Sequence, residues 1–196
     1  MFGVLYQVYG RNSEYGMRPL LARYQRQRQW PKFGKVIDPS DVHPLLFEFQ
    51  RDVVVWAAKK GRAAVFLDTG LGKTFIQLEW ARLIGERTLI IAPLSVARQT
   101  SREATKIGLD VRYVRNQEQV TDDQRIWITN YEMIAHFDFS QFGAVVLDES
   151  SILKALNGKT RRRLTDMCKD VPFRLCCTAT PAPNDHTEIG NHAHFL

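Results

Sequence analysis

Cysteine is scarce: the 196 residues hold three, Cys168, Cys176 and Cys177. Three thiols cannot supply the disulfide framework that staples small secreted domains. Cys176 and Cys177 are adjacent in an apolar run, which predicts buried, reduced side chains. Metal-ligand spacing is absent too, so no zinc motif organises the chain. No apolar run is long enough to span a bilayer. Met1 to Tyr9 is too short for a signal peptide and runs into polar residues. These absences predict a soluble, cytoplasmic protein. They leave room for one good-sized α/β domain with a short appendage.

The charge is unevenly placed. Residues 1–40 hold seven cations against two anions, a net +5 out of +6 for the whole chain. A basic end on a near-neutral body suggests a polyanion partner, or a solvated basic tail. Leu20 to Trp30 is rich in Arg and Gln and reads as a short helix, with a break over Trp30 to Gly34. Interleaved aromatics and arginines suit nucleic-acid contact. A semi-ordered arm packed on the main domain is the other reading.

What is present centres on Leu67 to Thr74. An apolar run, Ala63 to Leu67, leads into Asp68-Thr69-Gly70-Leu71-Gly72-Lys73-Thr74, and a helical pattern follows. Strand, glycine-containing loop, Gly-Lys-Thr and helix make a phosphate-binding loop. Gly70 and Gly72 let the backbone curl so that N–H groups converge on one concavity. The helix N-terminus adds positive potential. Lys73 reaches the β- and γ-phosphates, and the Thr74 hydroxyl is placed to ligate Mg²⁺. The first loop position, commonly Gly or Ala, is Leu67.

Upstream, the sequence predicts a helix from Ser40 or Asp41 to Gly61, with Leu46, Phe49, Val53 and Ala57 on its apolar face. Gln50 falls off the centre of that face and offers a donor and an acceptor to an adenine edge. Downstream, helices are expected over Phe75–Gly85, from a Ser95 cap to Lys106, and over Thr160–Cys168. Strands are expected at Thr88–Ala92, Val111–Val114, Arg125–Thr129, Ala144–Leu147 and Phe173–Cys177. Several are continuously apolar, as in a mainly parallel sheet covered by helices on both faces. Ligands in such sheets lie at the carboxyl ends of strands. The loop, Asp148-Glu149 and Thr178-Ala179-Thr180 all stand at such ends. In a phosphoryl-transfer site Asp148 would hold Mg²⁺ and Glu149 would activate water.

Taken in order, these segments resemble the first RecA-like lobe of a superfamily-two DEAD/DEAH-box helicase or translocase, nearest the Swi/Snf-type and phage branches. Gln50 resembles the adenine-reading glutamine. Gly70 to Thr74 resembles motif I, Leu89 to Val96 motif Ia, and Ile128 to Met133 the Thr-Tyr-Glu segment. Val145 to Ser151 resembles motif II, and Thr178 to Pro181 motif III. Motif II here reads Asp-Glu-Ser-Ser, with Ser151 where the family often has His or Asp. The resemblance implies a RecA-like P-loop NTPase fold over 41–196, with a basic arm over 1–40. It implies ATP and Mg²⁺, with Thr69, Leu71 and the motif I residues around the nucleotide. Ser151, Thr178 and Thr180 would couple the site to its surroundings. Pro93, Leu94 and Ser95 would contact nucleic acid, DNA before RNA. One lobe and its arm take up the 196 residues, so a second RecA-like lobe is expected in cis or in trans, in a bacterial or phage-infected cell. A nucleic-acid-binding module with little catalysis of its own is the alternative, and a small-molecule kinase a weaker third.

Overall fold

The structure, a computed structural model, describes residues 3–6, 34–155, 158–181 and 189–196. The expected helix over Leu20 to Trp30 and the break after it fall outside the described residues, save Gly34. Seven strands form one sheet: β1 (Gly3–Tyr6), β2 (Arg62–Phe66), β3 (Thr88–Ala92), β4 (Arg112–Tyr113), β5 (Ile126–Asn130), β6 (Ala144–Asp148) and β7 (Phe173–Thr178). Their spatial order is β1-β2-β7-β6-β3-β5-β4, and every neighbouring pair is parallel. The short N-terminal strand β1 is an edge of this sheet.

Among the described residues six α-helices accompany the strands: α1 (Glu48–Lys60), α2 (Lys73–Ile84), α3 (Leu94–Ala104), α4 (Ile152–Ala155), α5 (Gly158–Met167) and α6 (Ile189–Phe195). Among the described residues none is long and apolar enough to cross a membrane. Strand side chains alternate between two cores, one on each face of the sheet. Val65, Ile90, Ile128, Val146 and Cys177 join one core with Val53, Ala57 and Trp80. Phe66, Leu89, Ile91, Trp127, Leu147 and Cys176 join the other with Leu153, Leu164 and Phe195. A strand buried on both faces needs an unbroken apolar run, which is why these strands are easy to see in the sequence. All three cysteines are buried free thiols. Burial pushes Cys168 up to about 12.

Three helix expectations need correction. The helix expected from Ser40 or Asp41 starts at Glu48. Residues 39–41 form only a tight turn, capped by Asp38, whose Oδ1 accepts from Ser40 N at 2.9 Å. Phe49, expected on the buried face, is 41% exposed, and Gln50 is buried with Val53, Val54, Ala57 and Ala58. The face is rotated because the loop after β2 packs against Gln50. Ser95 does not cap the next helix. Pro93 holds that position, and its carbonyl accepts from Val96 and Ala97 N–H. The helix ends at Ala104, and a tight turn carries the chain to Gly108.

Candidate functional site

Because the sheet is parallel, every carboxyl end lies along one edge. The strands β2, β7 and β6 are immediate neighbours, with Phe66 beside Thr178 and Asp148 beside Cys177. The phosphate loop, the Thr178–Thr180 segment and the acid pair are therefore brought together, with the outer two roughly 10 Å apart at the sheet's interstrand spacing. Main-chain hydrogen bonds sew them to each other. Leu67 N donates to Thr178 O at 3.2 Å, and Ser150 N donates to Cys177 O at 2.9 Å.

The loop after β2 turns on Gly70 (φ 83°) and Gly72 (φ 73°). Gly72 is required twice over. Its backbone is left-handed, and a Cβ there would stand 2.3 Å from Gln50 Nε2. Gln50 ties the loop to α1: its Nε2 donates to Leu71 O at 3.0 Å, while its Oε1 accepts from Phe47 N at 3.0 Å. Each end of the carboxamide keeps one further hydrogen-bond capacity. Lys73 curls back, its Nζ donating to Leu67 O at 3.0 Å and Asp68 O at 3.2 Å. An incoming phosphate has to replace those carbonyls. Thr69 is exposed at the rim, and Thr74 is half-buried in the first turn of α2.

Asp148 is 4% exposed. Burial raises its pKa, and the neighbouring Glu149 charge adds to the rise. The Gln77 amide, the Glu149 N–H and the Lys73 ammonium pull the other way. Glu149 has φ 49°, the one positive value at a non-glycine position among the described residues. Such a conformation costs about 1–2 kcal/mol, and it sits at the bend that turns the acid pair off β6. Tyr131, buried just past β5, donates its hydroxyl to Asp148 O at 2.8 Å and braces the bend. That ties the Ile128–Met133 segment to the acid pair.

The residues expected to couple the site divide differently. No hydrogen bond joins Ser151 to Thr178 or Thr180 among the described residues. Thr180 N donates to Thr178 Oγ1 at 3.1 Å, so those two are linked to each other. The buried contact from the acid motif is made by Ser150, whose Oγ lies 3.0 Å from His192 Nε2 on α6. Pro93, Leu94 and Ser95 lie on the same edge at the end of β3, next to β6. Leu94 is 52% exposed and Ser95 is exposed as well.

Sequence reasoning missed several residues. Gln77, one turn after Lys73, is fully buried, and neither its Oε1 nor its Nε2 has an aligned hydrogen-bond partner among the described residues. Buried amides are normally satisfied, and an exception marks a place where something polar is missing. Phe47 and Phe49 stack at 6.3 Å beside Gln50 and leave an exposed aromatic shelf. A polar residue within a helix reads as solvated, and nothing in the sequence marks Gln77 as buried.

The donor set suits Mg²⁺, which binds proteins through one or two carboxylates or hydroxyls and completes its shell with phosphate and water. Asp148 and Thr74 would supply the protein share, with the Gln77 amide facing the Asp148 carboxylate. Loop, acid pair and parallel sheet together define a RecA-like P-loop NTPase.

The chain belongs to the DEAD/DEAH box helicase family, whose model matches residues 47–189. Among curated proteins, none matches the sequence. Solved structures do. The SWI2/SNF2 ATPase core of Sulfolobus solfataricus, solved in complex with dsDNA, superposes with a TM-score of 0.70 at 20% identity over 83% of this chain. The UvsW helicase of bacteriophage T4 gives a TM-score of 0.63 at 17% identity over 93%. The Hef helicase domain of Pyrococcus furiosus gives 0.61 at 16% identity over 83%. The chain spans 38% of the SWI2/SNF2 core, 67% of the UvsW structure and 38% of the Hef domain.

Proposed function

We propose that this chain is the ATP-binding lobe of a nucleic-acid-dependent helicase or translocase. Completed by a second RecA-like lobe in cis or in trans, it hydrolyses ATP to move on nucleic acid, DNA before RNA. The observation that carries the reading is the adjacency of β2, β7 and β6, which sets Lys73, Asp148 and Glu149 around one edge. Lys73 leaves the carbonyls of Leu67 and Asp68 to hold the β- and γ-phosphates. Thr74 and Asp148 hold Mg²⁺, which neutralises phosphate charge when bound. Gln50 turns its remaining donor and acceptor toward the adenine edge. Glu149, fixed by its strained backbone, accepts the proton of the attacking water. Pro93, Leu94 and Ser95 face the nucleic-acid backbone. Thr178 and Thr180, with Ser150 and Ser151, relay the state of the site.

The dsDNA bound to the SWI2/SNF2 core supports a DNA substrate, and the likeness to a phage helicase supports a bacterial or phage-infected cell as the setting. Turnover by this lobe alone is expected to be weak, because transition-state arginines supplied from outside such a lobe are worth on the order of 10³-fold or more. The test is a nucleotide titration with and without Mg²⁺. Magnesium-dependent ATP binding that Lys73→Ala removes is the expected result. No detectable binding by the unaltered protein would favour a nucleic-acid-binding module instead.

A further inference from the structure

Gln50 is held in place from a distance. Two turns into α2, the fully buried Glu79 carboxylate accepts the main-chain N–H of His43 at 2.7 Å. Arg82 clamps the same carboxylate, its Nε at 2.8 Å and a terminal nitrogen at 2.6 Å. That terminal nitrogen also donates to Asp41 O at 2.6 Å. The pair therefore grips the main chain over residues 41–43. The Glu79 hydrogen bond and charge raise the Arg82 pKa, so the guanidinium stays charged.

From there the segment is internally bonded. Leu46 N donates to His43 O at 3.1 Å. Arg51 reaches back from α1, donating to Leu46 O at 3.0 Å and Pro44 O at 2.9 Å. Phe47 N then donates to Gln50 Oε1, and Gln50 Nε2 donates to Leu71 O. The chain of contacts closes on itself. It leaves the phosphate loop through α2, crosses at Glu79, runs through residues 41–47, and returns to the loop through Gln50.

A buried carboxylate satisfied by a main-chain N–H and a bidentate arginine is a strong, oriented contact. Here it fixes one rigid distance: that between Lys73, which begins α2, and Gln50, in the first turn of α1. We infer that Glu79 and Arg82 are positioning residues for base selection, setting Gln50 at the separation from Lys73 that matches adenine to its own phosphates. Neither side chain touches the nucleotide. The inference rests on the adenine-reading role proposed for Gln50.

A generic stabilising pair would weaken every ligand alike. A positioning pair weakens only the ligand whose base must be matched. Isothermal titration of the chain with Mg²⁺ and ATP, GTP or tripolyphosphate separates the two. Glu79→Ala is expected to lower the ATP-over-GTP preference about tenfold, the worth of one well-placed hydrogen bond, while tripolyphosphate affinity stays within about twofold. Glu79→Gln keeps an acceptor for His43 N–H and is expected to recover most of the preference. If Glu79→Ala does not fold, Glu79→Gln and Arg82→Met carry the same comparison, with Arg82→Met expected to give the larger loss. Gln50→Ala sets the reference. If Gln50→Ala loses the preference and the Glu79 and Arg82 variants keep it, the positioning role is overturned and the adenine reading stands. If Gln50→Ala keeps it, the adenine reading falls and the inference with it. A parallel loss of tripolyphosphate binding in the Glu79 variants would also overturn the inference.

Discussion

The two edges of the sheet treat polar groups in opposite ways. At the amino edge, Arg174 is 3% exposed, and its guanidinium donates to the main-chain carbonyls of Lys169, Val171 and Phe195. Arg62 beside it donates to Val171, Pro172 and Leu196 carbonyls. Burial first, then the Arg62 charge, lowers Arg174 to about 10, so it stays protonated at neutral pH. At the carboxyl edge the groups are left short. Gln77 has only the Asp148 carboxylate facing its buried amide, Asp148 is buried with a raised pKa, and Glu149 is held in a left-handed turn. Saturated polar contacts hold a fold together, whereas unsatisfied ones mark where a ligand completes the network.

The contrast predicts that variants at the two edges fail in different assays. Arg174→Ala removes a buried cation and orphans the carbonyls of Lys169 and Phe195, while Val171 O keeps its bond from Arg62. It should cost about 3 kcal/mol of stability, roughly a 10 °C fall in Tm, read by thermal denaturation. The fraction that remains folded should bind ATP normally; weakened binding would break the division between edges. Lys73→Ala should do the reverse, losing about 30- to 100-fold in ATP affinity with Tm nearly unchanged.

Asp148 sharpens the comparison through pH. Its carboxyl holds a proton more tightly in the folded protein than in the unfolded chain. Its contribution to stability is therefore greatest at acid pH and declines as pH rises through the raised folded value. Asp148→Asn should raise the Tm of the nucleotide-free protein at neutral pH, with the difference shrinking on acidification. Magnesium-dependent nucleotide affinity should fall on acidification from a higher pH than an ordinary carboxylate would give. The smallest effect is expected from Glu149→Gly. Relief of the left-handed strain, partly offset by glycine's backbone entropy, should raise Tm by about 2 °C. Hydrolysis by the completed two-lobed protein should fall.

Much of this edge was legible because its signals are local. The apolar runs at Thr88–Ala92 and Ala144–Leu147 gave strands almost to the residue, since burial on both faces leaves no polar alternation to blur them. Gly70, Gly72 and Lys73 announced the loop because a left-handed turn demands glycine. The start of α1 was not legible. Ser40 and Asp41 look like caps, but Glu79, 36 residues from His43, pins the segment, which runs through tight turns and becomes helical only at Glu48. Burial of Gln77 and Glu79 was hidden for the same reason. A Gln or Glu at a helical position says nothing of itself about what lies across from it. The contact of Ser150 with His192 was hidden as well, because it depends on where α6 packs, 42 residues further on.

Strand order also fixes when the site can exist. The loop strand β2 and the acid strand β6 are not hydrogen-bonded to each other; β7, the last of the described strands, lies between them. Until residues 173–178 have been made, the sheet is two separate pieces, β1-β2 and β6-β3-β5-β4. A chain emerging from the ribosome therefore carries a phosphate loop and an acid pair that cannot yet face each other, each still short of its hydrogen bond to β7. Insertion of β7 is the step that brings the loop and the acid pair to one edge, and it is by nature a late, long-range event.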